Sequence, residues 1–328
     1  MSPPPGRFKA GNWRWCFAAL GVLCLPGLAS PFLAHALAGT GGVPEWLVDL
    51  AAHWQWLFLL ILLPSAVVAT LGNRSWALLL LAAPLPWLSV SASAPALHAA
   101  APPDAAVFAV ASANVYFRNQ DVAGLAQWLA REQPDVVVVL EVTPAYAEGL
   151  QSLQAYPHRH VVAEPGAFGI AILSRHPLEQ VQEVRDAEGI ALIQARIRWR
   201  DRLIGLAALH PMPPQSTHYH AVRNARLESV TRAPGAGDMP MIVAGDLNAT
   251  PWSNAFTGLG ERGWHRAMGL APTWPAAWGG WLGIPIDQIL VNRYWTVAGS
   301  MVGPDVGSDH FPVLVRLVQQ APASSGLR

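Results

Sequence analysis

Five short segments set polar side chains capable of chemistry at the ends of apolar runs. Asn114 follows AVFAVASA, Glu141 follows DVVVVL and His210 follows LIGLAAL. Asp246 and Asn248, within Gly245-Asp246-Leu247-Asn248, follow MIVA. Asp287 opens DQILV, and Ser308-Asp309-His310 precedes FPVLVRL. Strand ends are where α/β proteins assemble sites. Carboxylate oxygens suit Mg²⁺ or Mn²⁺, and Mg²⁺ takes few protein ligands and keeps its waters. An imidazole beside a carboxylate suits proton transfer or donation to an anion. Each residue alone has a plainer reading. Glu141 could be a solvated strand end, His210 a packed ring, and Asp287 the start of a turn. Gly-Asp-x-Asn could be a turn bonding its own backbone, and Ser-Asp-His a loop cap. Occurring together, in this order, they favour one shared site.

The elements that must position these residues follow from periodicity. Strands are expected at 106–113, 135–141, 168–173, 190–199, 203–210, 241–244, 286–291 and 313–317, with a turn at Arg200-Asp201. Helices are expected at 122–132, 145–153 and 218–229, the first with Val122, Leu125, Ala126 and Leu129 on one face. The unbroken valines of 136–139 mark a strand covered on both sides. Strands alternating with helices, with antiparallel pairs at the edges, predict a four-layer α/β sandwich: two packed mixed sheets covered by helices.

Ahead of this domain the composition changes. The chain has 328 residues, 52% hydrophobic and only 13% charged, against roughly 25% charged in soluble proteins; its mean hydropathy is +0.28. No Lys or Arg occurs between Trp15 and Asn73, or between Ser75 and Phe117. Apolar stretches at 15–37, 54–71 and 76–97 approach the roughly 20 residues a spanning helix needs, which predicts a bundle of three transmembrane helices. Prolines at 26, 31, 64, 84 and 86 would kink them, tolerably if neighbours satisfy the freed backbone groups. Arg7, Lys9 and Arg14 precede the first stretch, and the loop 38–53 carries Glu45 and Asp49 but no positive charge. The positive-inside rule then gives a cytoplasmic tail (1–14), a multi-pass anchor in the inner membrane and a periplasmic C-terminal domain. Two alternatives stay open. The first stretch could be a signal peptide cut near Ala34-His35-Ala36 or Ala36-Leu37-Ala38. The third could lie on the surface, which would leave the domain in the cytoplasm. Residues 98–105 read as a short semi-flexible linker, 106–318 as the catalytic domain and 319–328 as a tail. The two cysteines, Cys16 and Cys24, are too far apart along a helix to pair and read as packing residues.

The set Asn114, Glu141, His210, Asp246, Asn248, Asp287, Ser308, Asp309 and His310 resembles, in order and spacing, the endonuclease/exonuclease/phosphatase superfamily over residues 106–318. Leu209-His210-Pro211, Asp246-Leu247-Asn248-Ala249-Thr250-Pro251-Trp252 and Thr273-Trp274-Pro275 further resemble a membrane-anchored bacterial subgroup, the YafD-like proteins. The resemblance implies a divalent-metal-dependent hydrolase of phosphate mono- or diesters. Glu141 is implied as principal ligand of Mg²⁺ (or Mn²⁺), with Asn114 and Asp309 assisting. Asp246 is implied to orient and deprotonate the attacking water. Asn248 would position that water or the phosphate, with Asn114 near the substrate. His310 would act as base or as a donor to the transition state, with its ring held by Asp287, and His210 would donate to a non-bridging oxygen. Three positions depart from the family pattern: Tyr116 where many members have an acid, Leu140 where many have Gln, and Gln288 where many have His.

Several substrates fit that implication: a lipid head group, a small phosphate ester or DNA. Residues 105–328 hold 17 arginines and no lysine against 18 acids, a net of −1. Nonspecific DNA binding draws on cationic surface, so the balance leans away from a nuclease without removing it. The loop 273–281, with Trp274, Trp278 and Trp281, leads into Asp287 and is expected to touch lipid or an apolar part of the substrate. The membrane bilayer is the other expected partner, and no protein partner is inferable. The reading from a different class is a catalytically silent, membrane-tethered binding module.

Overall fold

The computed structural model describes residues 12–90 and 105–320. The expected tail 319–328 beyond residue 320, the linker up to residue 104 and most of the cytoplasmic tail lie outside the described residues.

Two six-stranded mixed sheets pack face to face. The first has the order β11-β12-β1-β2-β4-β3. Its strands are β1 (Val107–Asn114), β2 (Val136–Leu140), β3 (His158–Val162), β4 (Ile170–Ser174), β11 (Trp295–Val302) and β12 (Val313–Gln319). The second has the order β5-β6-β7-β8-β10-β9. It comprises β5 (Leu178–Arg185), β6 (Ala191–Trp199), β7 (Arg202–Ala208), β8 (Met241–Asp246), β9 (Trp264–Arg266) and β10 (Asp287–Asn292). Side chains alternate across a strand, and this divides the valine run between two cores. Val136, Val138 and Leu140 face the opposite sheet with Phe108, Ile193, Ile242 and Ile289. Val137 and Val139 face outward, beneath helices α5 (Ala123–Glu132) and α6 (Pro144–Leu150). Helix α7 (Thr217–Thr231) covers the second sheet with Leu227 and Val230. The four-layer sandwich is thereby in place. Each buried Val or Leu contributes roughly 1.5–3 kcal/mol.

The N-terminal part departs from the expectation of three spanning helices. Helix α1 (Asn12–Ala36) is long and apolar enough, over Trp13–Ala36, to cross a membrane. Helices α2 (Gly42–Ala52) and α3 (Gln55–Thr70) would make a second span only if counted together, and they meet at 62°. The third expected span forms no helix of that length. It breaks into a 3₁₀ helix (Arg74–Ala82) and the short α4 (Leu85–Leu88), separated at Pro84, while residues 91–97 lie outside the described residues. Proline at 84 and again at 86 removes the N–H groups that a continuous α-helix needs.

Of the two prolines inside α1, Pro26 and Pro31, the second is compensated. Pro31 has no N–H for the Gly27 carbonyl, which instead accepts from Ser30 Oγ at 2.6 Å and from Gln55 Nε2 of α3 at 2.9 Å. Glycine at 27 lets α3 come close, since a Cβ there would lie 2.5 Å from the Phe58 ring.

The segment 38–53, read as an external loop, contains α2, and α2 docks on the catalytic domain. Asp49, fully buried, accepts from Arg223 Nη2 of α7 at 2.7 Å and from the Asn254 backbone N–H at 2.7 Å. Glu45 accepts from Asn254 Nδ2 at 2.7 Å. Trp46, Trp56 and Trp252 donate their indole N–H groups across the same junction to the carbonyls of Pro214, Leu270 and Pro86. The two parts therefore share a buried polar interface.

Candidate active site

Strand direction brings every candidate residue to one end of the sandwich. β1 and β2 are parallel, with Asn114 opposite Leu140, so Asn114 and Glu141 emerge together. β7 and β8 are parallel and carry His210 and Asp246 to the same end. β10 runs antiparallel to β8 with Asp287 directly opposite Asp246, and β12 runs antiparallel to β1, which sets His310 just before its start. Gly245 is required here by close approach: a Cβ would fall 1.8 Å from the Leu209 carbonyl oxygen.

The polar groups form one connected ring. His310 Nδ1 pairs with Asp287 Oδ2 at 2.9 Å, and His310 Nε2 lies 3.8 Å from Asp246 Oδ2. His210 Nε2 approaches the same Asp246 oxygen at 3.5 Å. Asp246 Oδ1 accepts from the Asn248 backbone N–H at 2.9 Å, and Asn248 Nδ2 donates to the Pro211 carbonyl at 3.0 Å. Thr273 Oγ1 accepts from the Asp287 N–H at 3.2 Å. Ser308 Oγ donates to the Asn114 carbonyl at 2.7 Å and accepts from the His310 N–H, which ties the two loops together. Glu141 and Asn248 hold positive φ values of 62° and 48°, conformations that cost non-glycine residues about 1–3 kcal/mol and cluster at functional sites.

Asn114 lies between Glu141, Asp246 and His310. Its Oδ1 accepts from the Tyr116 N–H at 3.0 Å, because the chain turns at Tyr116. Its Nδ2 donates to Glu141 Oε1 at 2.9 Å and faces Asp246 and His310 at 3.4 Å. In this geometry the amide nitrogen bridges the two acids, and the oxygen keeps one lone pair beyond its bond to Tyr116.

The charges follow from this packing. Burial alone would push the His310 imidazole down, but Asp287 and Asp246 outweigh it and raise its pKa to about 9. Burial likewise opposes the charge on Asp246, yet His210 and His310 hold its carboxyl below the usual range. At neutral pH, then, His310 is an imidazolium and Asp246 a carboxylate. A proton held more tightly in the folded state contributes stability below the ordinary pKa of 6.5 that is lost as pH rises through about 9. Activity that needs the imidazolium should show an alkaline limb near pH 9, and Asp287→Asn should move that limb to lower pH. A kcat/KM profile with the limb unmoved in the variant would remove His310 from this role.

A cleft of about 490 Å³ opens over the ring. Its polar lining includes Glu141, Asp246, Asp309, His53, His210 and His310, and neither Lys nor Arg. Asp309 Oδ2 accepts from Trp274 Nε1 at 3.2 Å, whereas its buried Oδ1 has no hydrogen-bond partner among the described residues. Three carboxylates, one with an unpartnered oxygen, and no fixed cation form a donor set that fits a divalent ion. Asp246, Asp287 and His310 also present ligand atoms within 4.8 Å of one another. There, however, the charged imidazole already bridges the two carboxylates, so Glu141 and Asp309 are the better-suited acids.

Trp274, from the loop expected to touch substrate, also lines the cleft, whereas Phe168 and the N-terminal wall were not legible in the sequence as part of a site. Phe168 lies against His210 with ring centroids 5.5 Å apart. Trp46, Leu50, His53 and Trp54 form a wall supplied by the N-terminal helices. The one available signal was Glu45, Asp49 and His53 at four-residue spacing, an acid–acid–imidazole stripe inside an apolar region.

Comparison with known proteins agrees with this geometry. A model of the Endonuclease/Exonuclease/phosphatase family matches residues 111–310. No curated protein matches the chain. Among solved structures, an endonuclease/exonuclease/phosphatase from Beutenbergia cavernae is similar at 20% identity and a TM-score of 0.55, with 66% of this chain and 72% of that one covered. D. rerio TDP2 complexed with a single-strand DNA product is similar at 18% identity and a TM-score of 0.52, covering 65% and 99%. The human Nocturnin catalytic domain with a bound sulfate anion is similar at 15% identity and a TM-score of 0.51, covering 65% and 95%. At these identities the likeness shows the fold alone.

Proposed function

The chain belongs to the endonuclease/exonuclease/phosphatase family, and on that footing we propose that it is a membrane-anchored, divalent-metal-dependent phosphoesterase hydrolysing a phosphate mono- or diester by attack of water on phosphorus. The observation that carries this reading is the ring of Asn114, Glu141, His210, Asp246, Asp287 and His310 beneath a cleft lined by three carboxylates and neither Lys nor Arg. Three carboxylates outnumber the His310 imidazolium, so the cleft repels a phosphate ester until a further cation neutralises it. Glu141 and Asp309 would hold Mg²⁺ or Mn²⁺. When bound, the ion supplies positive charge to the phosphoryl oxygens.

The chain's own residues do the rest. Asp246 is a strong acceptor that orients the water and takes its proton as the water attacks phosphorus. His310 donates a proton or a hydrogen bond to the phosphoryl group, and Asp287 fixes the ring. His210 donates to a non-bridging oxygen. Asn248, pinned to Pro211, closes the water side.

Membrane anchoring is supported by the outer surface of the N-terminal helices. Among the described residues, the exposed large hydrophobic side chains lie almost all before residue 90; the exceptions are Val107, Val184, Trp278, Trp281 and Leu282. Arg14 Nη1 donates to the Leu71 carbonyl at 3.1 Å, so α3 ends beside the start of α1. The 3₁₀ helix and α4 then return to the catalytic domain, where the Pro86 carbonyl meets Trp252. Arg14 and the Pro86–Trp252 contact therefore lie at opposite ends of the N-terminal helices. The absence of Lys and Arg from the cleft lining disfavours the nuclease reading.

The test is hydrolysis of bis(4-nitrophenyl) phosphate by the full chain in detergent, with Mg²⁺ or Mn²⁺ titrated after chelation. Glu141→Gln should raise the metal concentration for half-maximal rate by at least about tenfold. Turnover that ignores the chelator would exclude the metal. No turnover at all would favour the silent binding module.

A further inference from the structure

The cleft does not end at the polar ring. A second groove of about 220 Å³ adjoins it and shares the lining residues Trp54 and Ile284. Its floor is α3, through Leu57, Leu60 and Leu63, and its far side is Trp281 and Leu282. The groove is lined by apolar residues and a glycine, with no charged side chain. It therefore runs from the reacting centre along the same helix whose outer leucines require an apolar surrounding. Beside it, Trp278 and Trp281 are 78% and 81% exposed, on a loop where Trp278 holds a φ of 52°. Exposed tryptophans at the foot of apolar helices suit a bilayer interface. The docking of α2 through Asp49 holds the helix that follows it, and with it the groove, against the catalytic domain.

We propose that the substrate is an amphiphilic phosphate ester drawn from the bilayer, with its phosphate over Asp246 and His310 and one hydrocarbon chain in the groove between α3 and the Trp281–Ile284 segment. The proposal rests on the phosphoesterase reading above. A polar head alone would leave the groove exposed to water. A hydrocarbon chain fills it and reaches the bilayer without crossing a polar barrier, because nothing charged lines the path. Burial of apolar surface favours each methylene so placed.

The experiment uses the full chain in lipid nanodiscs and two water-soluble chromogenic diesters, 4-nitrophenyl methyl phosphate and 4-nitrophenyl dodecyl phosphate. The expected kcat/KM for the dodecyl ester exceeds that for the methyl ester by more than about tenfold. Leu60→Trp combined with Leu282→Trp fills the groove and should bring that ratio close to one. Leu81→Trp, on the exposed face of the 3₁₀ helix, should keep the wild-type ratio. Partition of the longer ester into the disc raises its local concentration equally for all variants, so a ratio surviving the double substitution overturns the proposal. Equal rates for the two esters in the wild-type chain overturn it as well, while leaving the phosphoesterase reading intact. No Asp246-dependent turnover of either ester removes that reading and the proposal together.

Discussion

Replacing Asp246 by Asn is expected to lower metal-dependent phosphodiester hydrolysis by about 10²–10⁴-fold, the range in which a positioned proton-transfer group contributes. The substitution keeps the shape of the side chain. An amide oxygen can still accept from the Asn248 N–H, as Asp246 Oδ1 does at 2.9 Å. What is lost is the charge that faces His210 at 3.5 Å and His310 at 3.8 Å. Without it the water loses its acceptor, and both imidazoles lose a partner that raises their pKa. Binding of the cation through Glu141 should be little changed, so the loss should appear in kcat at saturating Mg²⁺. A variant retaining more than a tenth of the rate would sink the assignment of Asp246.

Asp49→Ala is expected to have the largest effect on stability, and it lies outside the catalytic domain. Asp49 and Arg223 are both buried, and their 2.7 Å contact joins α2 to α7. Removing one partner of such a pair costs about 3–5 kcal/mol, because the other charge stays buried. Arg223 would keep Asn224 Oδ1 and the Asn248 carbonyl but no counter-charge in that contact. For a domain of this size the loss corresponds to a fall in the thermal midpoint of at least about 6 °C. Activity should fall too, since the same network holds the catalytic loop: Arg223 Nη1 donates to the Asn248 carbonyl at 2.8 Å, and the Thr250 N–H donates to His53 Nδ1 at 3.3 Å. Thermal unfolding of the full chain in detergent gives the measurement. A midpoint within a degree of wild type would show the interface to be energetically idle.

Sequence alone determined the interior of both sheets and the order of the candidate residues. A strand buried on both faces must be continuously apolar, so VVVVL could be read without a partner. The four strands that were not anticipated, β3, β5, β9 and β11, are the four sheet edges. An edge strand pairs on one side only. HRHVV and LEQVQEVR are accordingly half-exposed and polar, with little periodic signal of their own. The apolar character of the N-terminal third was equally plain, but not how it breaks. Pro84 and Pro86 divide the third stretch, and α2 turns away from α3.

Tertiary structure decided what lies between the motifs. Asn114 faces the acids with its nitrogen because the Tyr116 N–H claims its oxygen, an orientation no sequence records. Asp49 read as a loop acid on the outer side of a membrane, and Arg223 fell within the helix expected at 218–229. They are 174 residues apart, and only folding makes them the buried pair that seats the N-terminal helices against the active site. Local composition fixes which residues avoid water, since hydrophobicity belongs to each side chain. Which polar groups meet depends on strand direction and register, and these are properties of the folded chain as a whole.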